Sequence, residues 1–486
     1  MKKIDLLILS FSIGCFLNPV LAQEANIQEV PTNVLVIIAD DLSTTLNCYG
    51  AEGVITPNLD KLAERGRKFE RAYCQASLCN PSRASIMTGR RPNKLKVWTN
   101  NPHFRGIHPK IETLPQHFKN NGYHSVGIGK IFHNWGQSMH GDEPSWSAPE
   151  AYHWAAHYQD WYVPGRPYQI HEDLKKGPAV QCEEVPDEAY LDGRITNLAI
   201  NKLRELQETP FFLAVGFWKP HLPYNAPKKY WDLYDRNALP AMRYPGPAHG
   251  VPEVAYVNSN EARSYTDIDK TGPIPAEKKL ELRHGYLAAI SYLDAQVGKI
   301  IDELDRLGLS ENTIIVFMSD HGYHAGEHGQ FGKWTNFELG TRVPFIIATP
   351  DMAEPGKASN SIVELVDLYP TLVELCNLPP PNEAKKLAGV SLVPILKKPD
   401  SPIKSKAISQ ITRPLNAGPD FDIIGSTIRE EHFRYTVWTN REDGHVIAEE
   451  LYDLSTDLFN ANNLSNDPKY SKRKEKLYQQ LHENLK

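Results

Sequence analysis

The sequence predicts an α/β fold, a sheet with helices on both faces, and two features carry that expectation. Five short apolar runs read as buried parallel strands: Val34–Ala39, Ser125–Ile128, Phe211–Val215, Thr313–Met318 and Pro344–Thr349. Helical patterns lie between them, and regular alternation of the two is what an α/β sheet requires. A third feature bears on function. Asp40-Asp41 follows the first run, Lys130 the second, His221 the third and Asp320-His321 the fourth. Open α/β sheets place their ligands beyond the carboxyl ends of the strands.

Taken in order, the chain opens on a secretory-signal pattern. Lys2 and Lys3 flank an apolar stretch, Leu6 to Leu17, and Val20-Leu21-Ala22 offers a small-residue cleavage site. That stretch is too short for a stable membrane span. Export to the periplasm or beyond is expected. Cys15 resembles a lipoprotein site only faintly, because Ser12 stands where an aliphatic residue belongs. The helical patterns are Asn58–Arg65, opened by Pro57 and closed by Gly66, then Lys278–Leu307 and Ile362–Leu375. The segments 136–190 and 222–275 are rich in aromatics, Pro and Gly, and read as pocket walls. Around Arg413-Pro414 the pattern changes. Thr427–Thr439 and Leu451–Leu454 read as strands, and Ser471–Lys486 as a closing helix. The expected organisation is a signal (1–22), a catalytic domain (23–412) and a smaller α+β subdomain (413–486).

Composition sets the bounds. The chain has 486 residues and 41% hydrophobic content, enough for one large core and a companion. A formal charge of -6 argues against non-specific nucleic-acid binding. Of the six cysteines, Cys15 and Cys79 set aside, Cys48, Cys74, Cys182 and Cys376 match no disulfide scaffold or zinc spacing, and a protein of this size needs no staples.

Several constellations carry chemistry. The adjacent carboxylates Asp40 and Asp41 repel unless something positive binds them. With Asp320 and His321 they form an oxygen-rich set that suits Ca²⁺ or Mg²⁺, and His321 keeps a transition metal open. Lys130 and His133 share one turn, His221 sits in the proline-stiffened Trp218–Tyr224 loop, and Lys333 lies in a glycine- and aromatic-rich loop. Cations for anionic oxygens and groups that move protons are the parts an ester hydrolase needs. His103, Phe104, Arg105, His108, Tyr323, His324, His328 and Trp334 are candidate sugar-subsite residues. Taken singly, each of these also fits a structural role.

The signature is Cys79-Asn80-Pro81-Ser82-Arg83, followed by Thr88-Gly89-Arg90. Matching segments extend well beyond it. They include Thr56–Asp60, Gly129–His133, Phe212–Gly216 running into Lys219-Pro220-His221, Gly272–Pro275, Ser291–Asp294, Ser319–Gly322 and Arg434–Trp438. With these the chain resembles the type I sulfatases of the alkaline phosphatase superfamily, specifically the iduronate-2-sulfatase-like branch. The resemblance implies a large mixed, mostly parallel sheet between helices. It implies that Cys79 is oxidised by a maturing enzyme to formylglycine, and that Asp40, Asp41, Asp320, His321 and residue 79 bind one Ca²⁺. Arg83 would hold the modified residue, Lys130 and Lys333 the sulfate, and His133 would assist sulfate release. His221 would protonate the leaving oxygen. The implied substrate is a 2-O-sulfated uronate of a polysaccharide or its oligosaccharides; galactose or fucose sulfates of algal polysaccharides stand behind it. The same residues also admit a formylglycine-dependent phosphonate or phosphodiester hydrolase, or a non-catalytic carbohydrate-binding homologue.

Overall fold

The computed structural model describes residues 32–133, 139, 141–152, 177–242, 244–415 and 420–486. The expected signal, Cys15 and the cleavage site lie outside them. The strands in chain order begin with β1 (Asn33–Asp40), β2 (Arg67–Tyr73), β3 (His124–Gly129) and β4 (Val180–Glu183). Next come β5 (Phe211–Pro220), β6 (Tyr224–Pro227), β7 (Thr313–Ser319), β8 (His324–Ala325) and β9 (Phe331–Gly332). Then follow β10 (Arg342–Val343), β11 (Phe345–Ala348) and β12 (Ser359–Glu364). The last four are β13 (Ala407–Arg413), β14 (Ile423–Arg429), β15 (Phe433–Asn440) and β16 (Val446–Asp453).

The main sheet has eight strands in the order β10-β2-β11-β7-β1-β5-β3, with β12 also on β2. Its centre is parallel, β7-β1-β5-β3. Every residue of β1, β5 and β7 is buried, as expected of strands covered on both faces. Alternate residues feed two apolar cores. Leu35, Ile37, Leu213, Val215 and Phe317 face one, with the long helix Ala276–Arg306. Val34, Val36, Ile38, Phe212 and Met318 face the other, with Ile86 and Met87 of the helix Cys79–Thr88.

Two expectations are corrected. The Pro344–Thr349 run forms β11, which pairs antiparallel to β7. The link from β7 returns through the short pairs β8–β9 and β10 without a crossover helix, so the chain comes back in the opposite sense. The Ile362–Leu375 stretch is not one helix. Ile362 and Val363 join the sheet edge in β12, and the α-helix starts only at Leu368. A reciprocal cap between Glu364 and Asp367 marks the break. The helix Pro57–Arg65 ends at Gly66, as expected.

The smaller sheet, β13-β14-β15-β16, is antiparallel, and the helix Ser471–Leu485 packs Leu477 and Leu481 onto it. Its first strand starts at Ala407, ahead of the composition change at Arg413. Both sheets belong to one unit, Thr32–Lys486. The five cysteines among the described residues are all free. No described helix is long and apolar enough to cross a membrane.

Candidate active site

Four parallel strands deliver their terminal residues to one place. Asp40 ends β1, and Asp41 leaves it at a φ of 65°, a left-handed conformation that costs an aspartate on the order of 1 kcal/mol. Lys130 follows Gly129, whose φ is 76°. A Cβ on Gly129 would sit 2.1 Å from the Gly216 carbonyl oxygen, so β3 reaches β5 this closely only with glycine. The Lys130 amide then donates to that oxygen at 2.9 Å. The end of β5 is held by Asp192, which accepts from the amides of Trp218 and Lys219. Asp320 and His321 follow β7.

Cys79 begins a ten-residue helix that is buried throughout. Its amide end favours negative charge. The Cys79 Sγ lies 3.3 Å from His321 Nε2 and 3.5 Å from Asp40 Oδ1. Potential ligand atoms of Asp40, Cys79, Asp320 and His321 all lie within 4.8 Å of one another, and all four residues are buried. His321 Nδ1 donates to the Gly322 carbonyl at 3.0 Å, which leaves Nε2 turned inward as a ligand. Asp40 Oδ2 accepts from Lys130, while Asp320 Oδ2 accepts from Arg83 at 2.7 Å and its Oδ1 from the His321 amide at 2.9 Å. Asp41 Oδ1 is buried 2.9 Å from Lys333 Nζ yet receives no directed hydrogen bond. Buried carboxylates gathered around one oriented imidazole fit a divalent cation.

The electrostatics are those of a closely coupled cluster. Burial pushes the Asp40 carboxyl up, but Lys130, His221, Arg83 and Lys333 together hold it well below its usual range. Burial raises Asp41 despite Lys333 and His221. Burial lowers Lys130, and Asp40 more than restores it. Lys333 stands well above its ordinary value, since Asp41, Cys79 and Glu261 outweigh burial. Burial, then Lys130, drive His133 well below its ordinary value, and among the described residues neither ring nitrogen has a hydrogen-bond partner. Burial, then Asp40, push the Cys79 thiol far up.

The structure thus gathers the residues expected to carry chemistry. Arg83 donates to Asp320 and to the carbonyls of Lys130, Ile131 and Ala39. It ties three strand ends together.

The sugar-subsite candidates fare differently. Arg105 is buried in a two-toothed pair with Asp142 and also donates to Ile111 and Gln116. Tyr323 stacks on Tyr286 and meets Tyr224 through its hydroxyl. His324 is buried against Thr335. His103 binds the Gly141 carbonyl, His108 the Leu95 carbonyl and His328 the Phe459 carbonyl. Phe104 packs on Phe132. Each of these side chains makes contacts within the fold. Trp334, at a φ of 61°, packs with Leu78 and Val257 beside Cys79. One residue of the cluster has no sequence signal. Glu261 brings its carboxylate to 2.9 Å from His221 Nε2 and 3.1 Å from Lys333 Nζ, and nothing in its local sequence marks it.

Comparison with known proteins agrees with this geometry. Residues 32–378 match the sulfatase family, and residues 326–486 match the family described as N-sulphoglucosamine sulphohydrolase, C-terminal. The chain is 33% identical to iduronate 2-sulfatase of Homo sapiens, over 91% of this chain and 93% of that one. It is 29% identical to choline-sulfatase of Rhizobium meliloti, over 90% and 83%. A solved 2-O GAG sulfatase shares the fold at a TM-score of 0.65 and 23% identity, covering 94% of this chain and 92% of that one. So does the phosphonate monoester hydrolase of Agrobacterium radiobacter, at 0.75 and 22%, covering 93% and 95%. The chain belongs to the sulfatase family, as a type I sulfatase of the alkaline phosphatase superfamily that stands close to the iduronate 2-sulfatases.

Proposed function

We propose that this sulfatase is an exported enzyme that removes the 2-O-sulfate of uronate residues in a sulfated polysaccharide or its oligosaccharides. Supporting the substrate class is the likeness to iduronate 2-sulfatase across nine-tenths of both chains. The observation that carries the chemistry is the placement of Cys79. It sits at a helix amide end against Asp40 and His321, in a site whose lysines and histidines converge from separate strands.

In this reading Cys79 is oxidised to formylglycine by a dedicated maturing enzyme, and Asp40, Asp41, Asp320, His321 and residue 79 hold Ca²⁺. A hydrated aldehyde offers one hydroxyl to attack sulfur and a second to expel the sulfate, and a bound cation makes the first more acidic. The protein's own groups do the rest. Lys130, packed over the Trp218 ring at 4.7 Å, and Lys333 neutralise the sulfate oxygens. Arg83 acts through Asp320, fixing its Oδ2. His133, whose ring nitrogens have no hydrogen-bond partner among the described residues, takes a proton as sulfate departs. His221 Nδ1 is tied to the Leu222 carbonyl at 2.6 Å, so Nε2 is the nitrogen that gives a proton to the leaving sugar oxygen.

The test is a screen of the matured enzyme against defined sulfated oligosaccharides, with sulfate release measured. Release from 2-O-sulfated uronates alone is expected. Release confined to galactose or fucose sulfates would overturn the substrate, and a preference for aryl phosphodiesters would overturn the reaction class.

A further inference from the structure

We propose that Glu261 is a positioning residue that sets His221 and Lys333 at a fixed distance from each other. The proposal rests on the reading of His221 as the acid. The Glu261 side chain is 13% exposed and uses both oxygens, Oε1 at 2.9 Å from His221 Nε2 and Oε2 at 3.1 Å from Lys333 Nζ. His221 hands a proton to the bridging oxygen while Lys333 grips a peripheral oxygen of the same sulfate. Their spacing must therefore match one ester group, and a single carboxylate touching both is a direct way to impose it.

The geometry at His221 adds to this. Its Nδ1 is committed to the Leu222 carbonyl, so the proton to be delivered is the one Nε2 carries in the imidazolium form, and Glu261 is the nearer of two carboxylates there. Asp41 is farther, at 3.6 Å. Asp41, His221 and Glu261 come close enough to hold a metal ion, but the Lys333 ammonium already lies between the two carboxylates. A second cation there would be redundant.

Glu261 is itself held. It precedes the short 3₁₀ turn Ala262–Ser264. Arg263 pins that turn by donating to the carbonyls of Asn258, Asp269 and Gly272 at 2.9, 2.6 and 2.7 Å. Ser259 Oγ accepts from the Phe331 amide, two residues before Lys333. The loop that carries the carboxylate is thus fastened to the loop that carries the lysine.

The experiment compares wild type, Glu261→Gln, Glu261→Asp and His221→Ala on aryl sulfates running from 4-nitrophenyl to 4-methylphenyl, with melting temperatures recorded. A general acid matters most for the poorer leaving group, and such catalysis is worth roughly 10² to 10⁴-fold. Glu261→Gln is expected to lower kcat about tenfold more for 4-methylphenyl than for 4-nitrophenyl sulfate, by part of that acid contribution. KM and melting temperature should change little, and Glu261→Asp should recover part of the loss. Adding Glu261→Gln to His221→Ala should not steepen the dependence further. An equal loss along the series from Glu261→Gln, with His221→Ala still discriminating, would overturn the positioning role alone. No discrimination by His221→Ala would overturn the acid assignment and the proposal with it.

Discussion

The helix Cys79–Thr88 has a buried charge cluster near each end, and the two are settled in opposite ways. Just beyond its carboxyl end, Glu364 and Asp367 meet Arg91 and Lys404. Glu364 Oε1 accepts from Arg91 and the Ile408 amide, and Oε2 from Arg91 and Lys404. Asp367 Oδ1 accepts from Lys404 and the Val390 amide, and Oδ2 from the Glu364 amide. Every carboxylate oxygen has a donor. At the amino end the same ingredients stop short of satisfaction. Among the described residues Asp41 Oδ1 has no directed hydrogen bond, and both nitrogens of His133 have none. Burying charge without full pairing is costly, and here the shortfall lies among the residues proposed to meet a ligand. The closed cluster is a rivet, and the open one is a site.

Three perturbations test that contrast. The largest effect is expected at the rivet. Arg91→Ala leaves two buried carboxylates short of donors and should cost about 3–5 kcal/mol of stability. Denaturant unfolding would show it, while kcat of the folded fraction stays near wild type. Lys130→Ala and Lys333→Ala should do the reverse. Each removes a cation proposed to hold the sulfate and should lower kcat about 10²–10³-fold, read from steady-state kinetics of folded enzyme. The smallest effect concerns pH. Burial raises the Glu364 carboxyl, but Arg91 and Lys404 hold it down at about 2 against an ordinary 4.5. A depressed carboxyl contributes stability that is fully present above its ordinary value and lost as pH falls through about 2. Asp367, pushed up by burial, works in the opposite sense. Glu364→Gln should therefore flatten the fall of melting temperature between pH 4.5 and 2.

Much of the site is legible in the sequence because its residues follow unbroken apolar runs, and buried parallel strands announce themselves that way. Asp40, Lys130, His221 and Asp320 each stand at such an end. The sheet edges are hidden. Arg67-Lys68-Phe69-Glu70-Arg71 alternates charge with a single aromatic, yet β2 pairs with three strands. Ile362 and Val363 share helical spacing with the residues after them, and only the Glu364–Asp367 cap separates strand from helix. The intramolecular partners of Arg105, Tyr323 and His324 are not legible in sequence, because residue type alone does not say what a loop side chain packs against. Glu261 is invisible there for a related reason: its partners are distant along the chain, and only the folded loop brings them together. In the signature, Arg91 beside Thr88-Gly89-Arg90 gives no hint that it closes the second cluster.

Everything proposed for this sulfatase turns on residue 79 being its nucleophile once converted from a thiol. The deciding measurement is sulfate release by wild type and Cys79→Ala, each produced with a maturing enzyme. The peptide carrying residue 79 would be weighed in the same preparations. Wild type should show the thiol-to-aldehyde mass change and release sulfate. Cys79→Ala should bind sulfated ligand and keep its melting temperature, but turn over at least about 10⁴-fold more slowly. Release at a near-wild-type rate by Cys79→Ala would rule out residue 79 as the nucleophile.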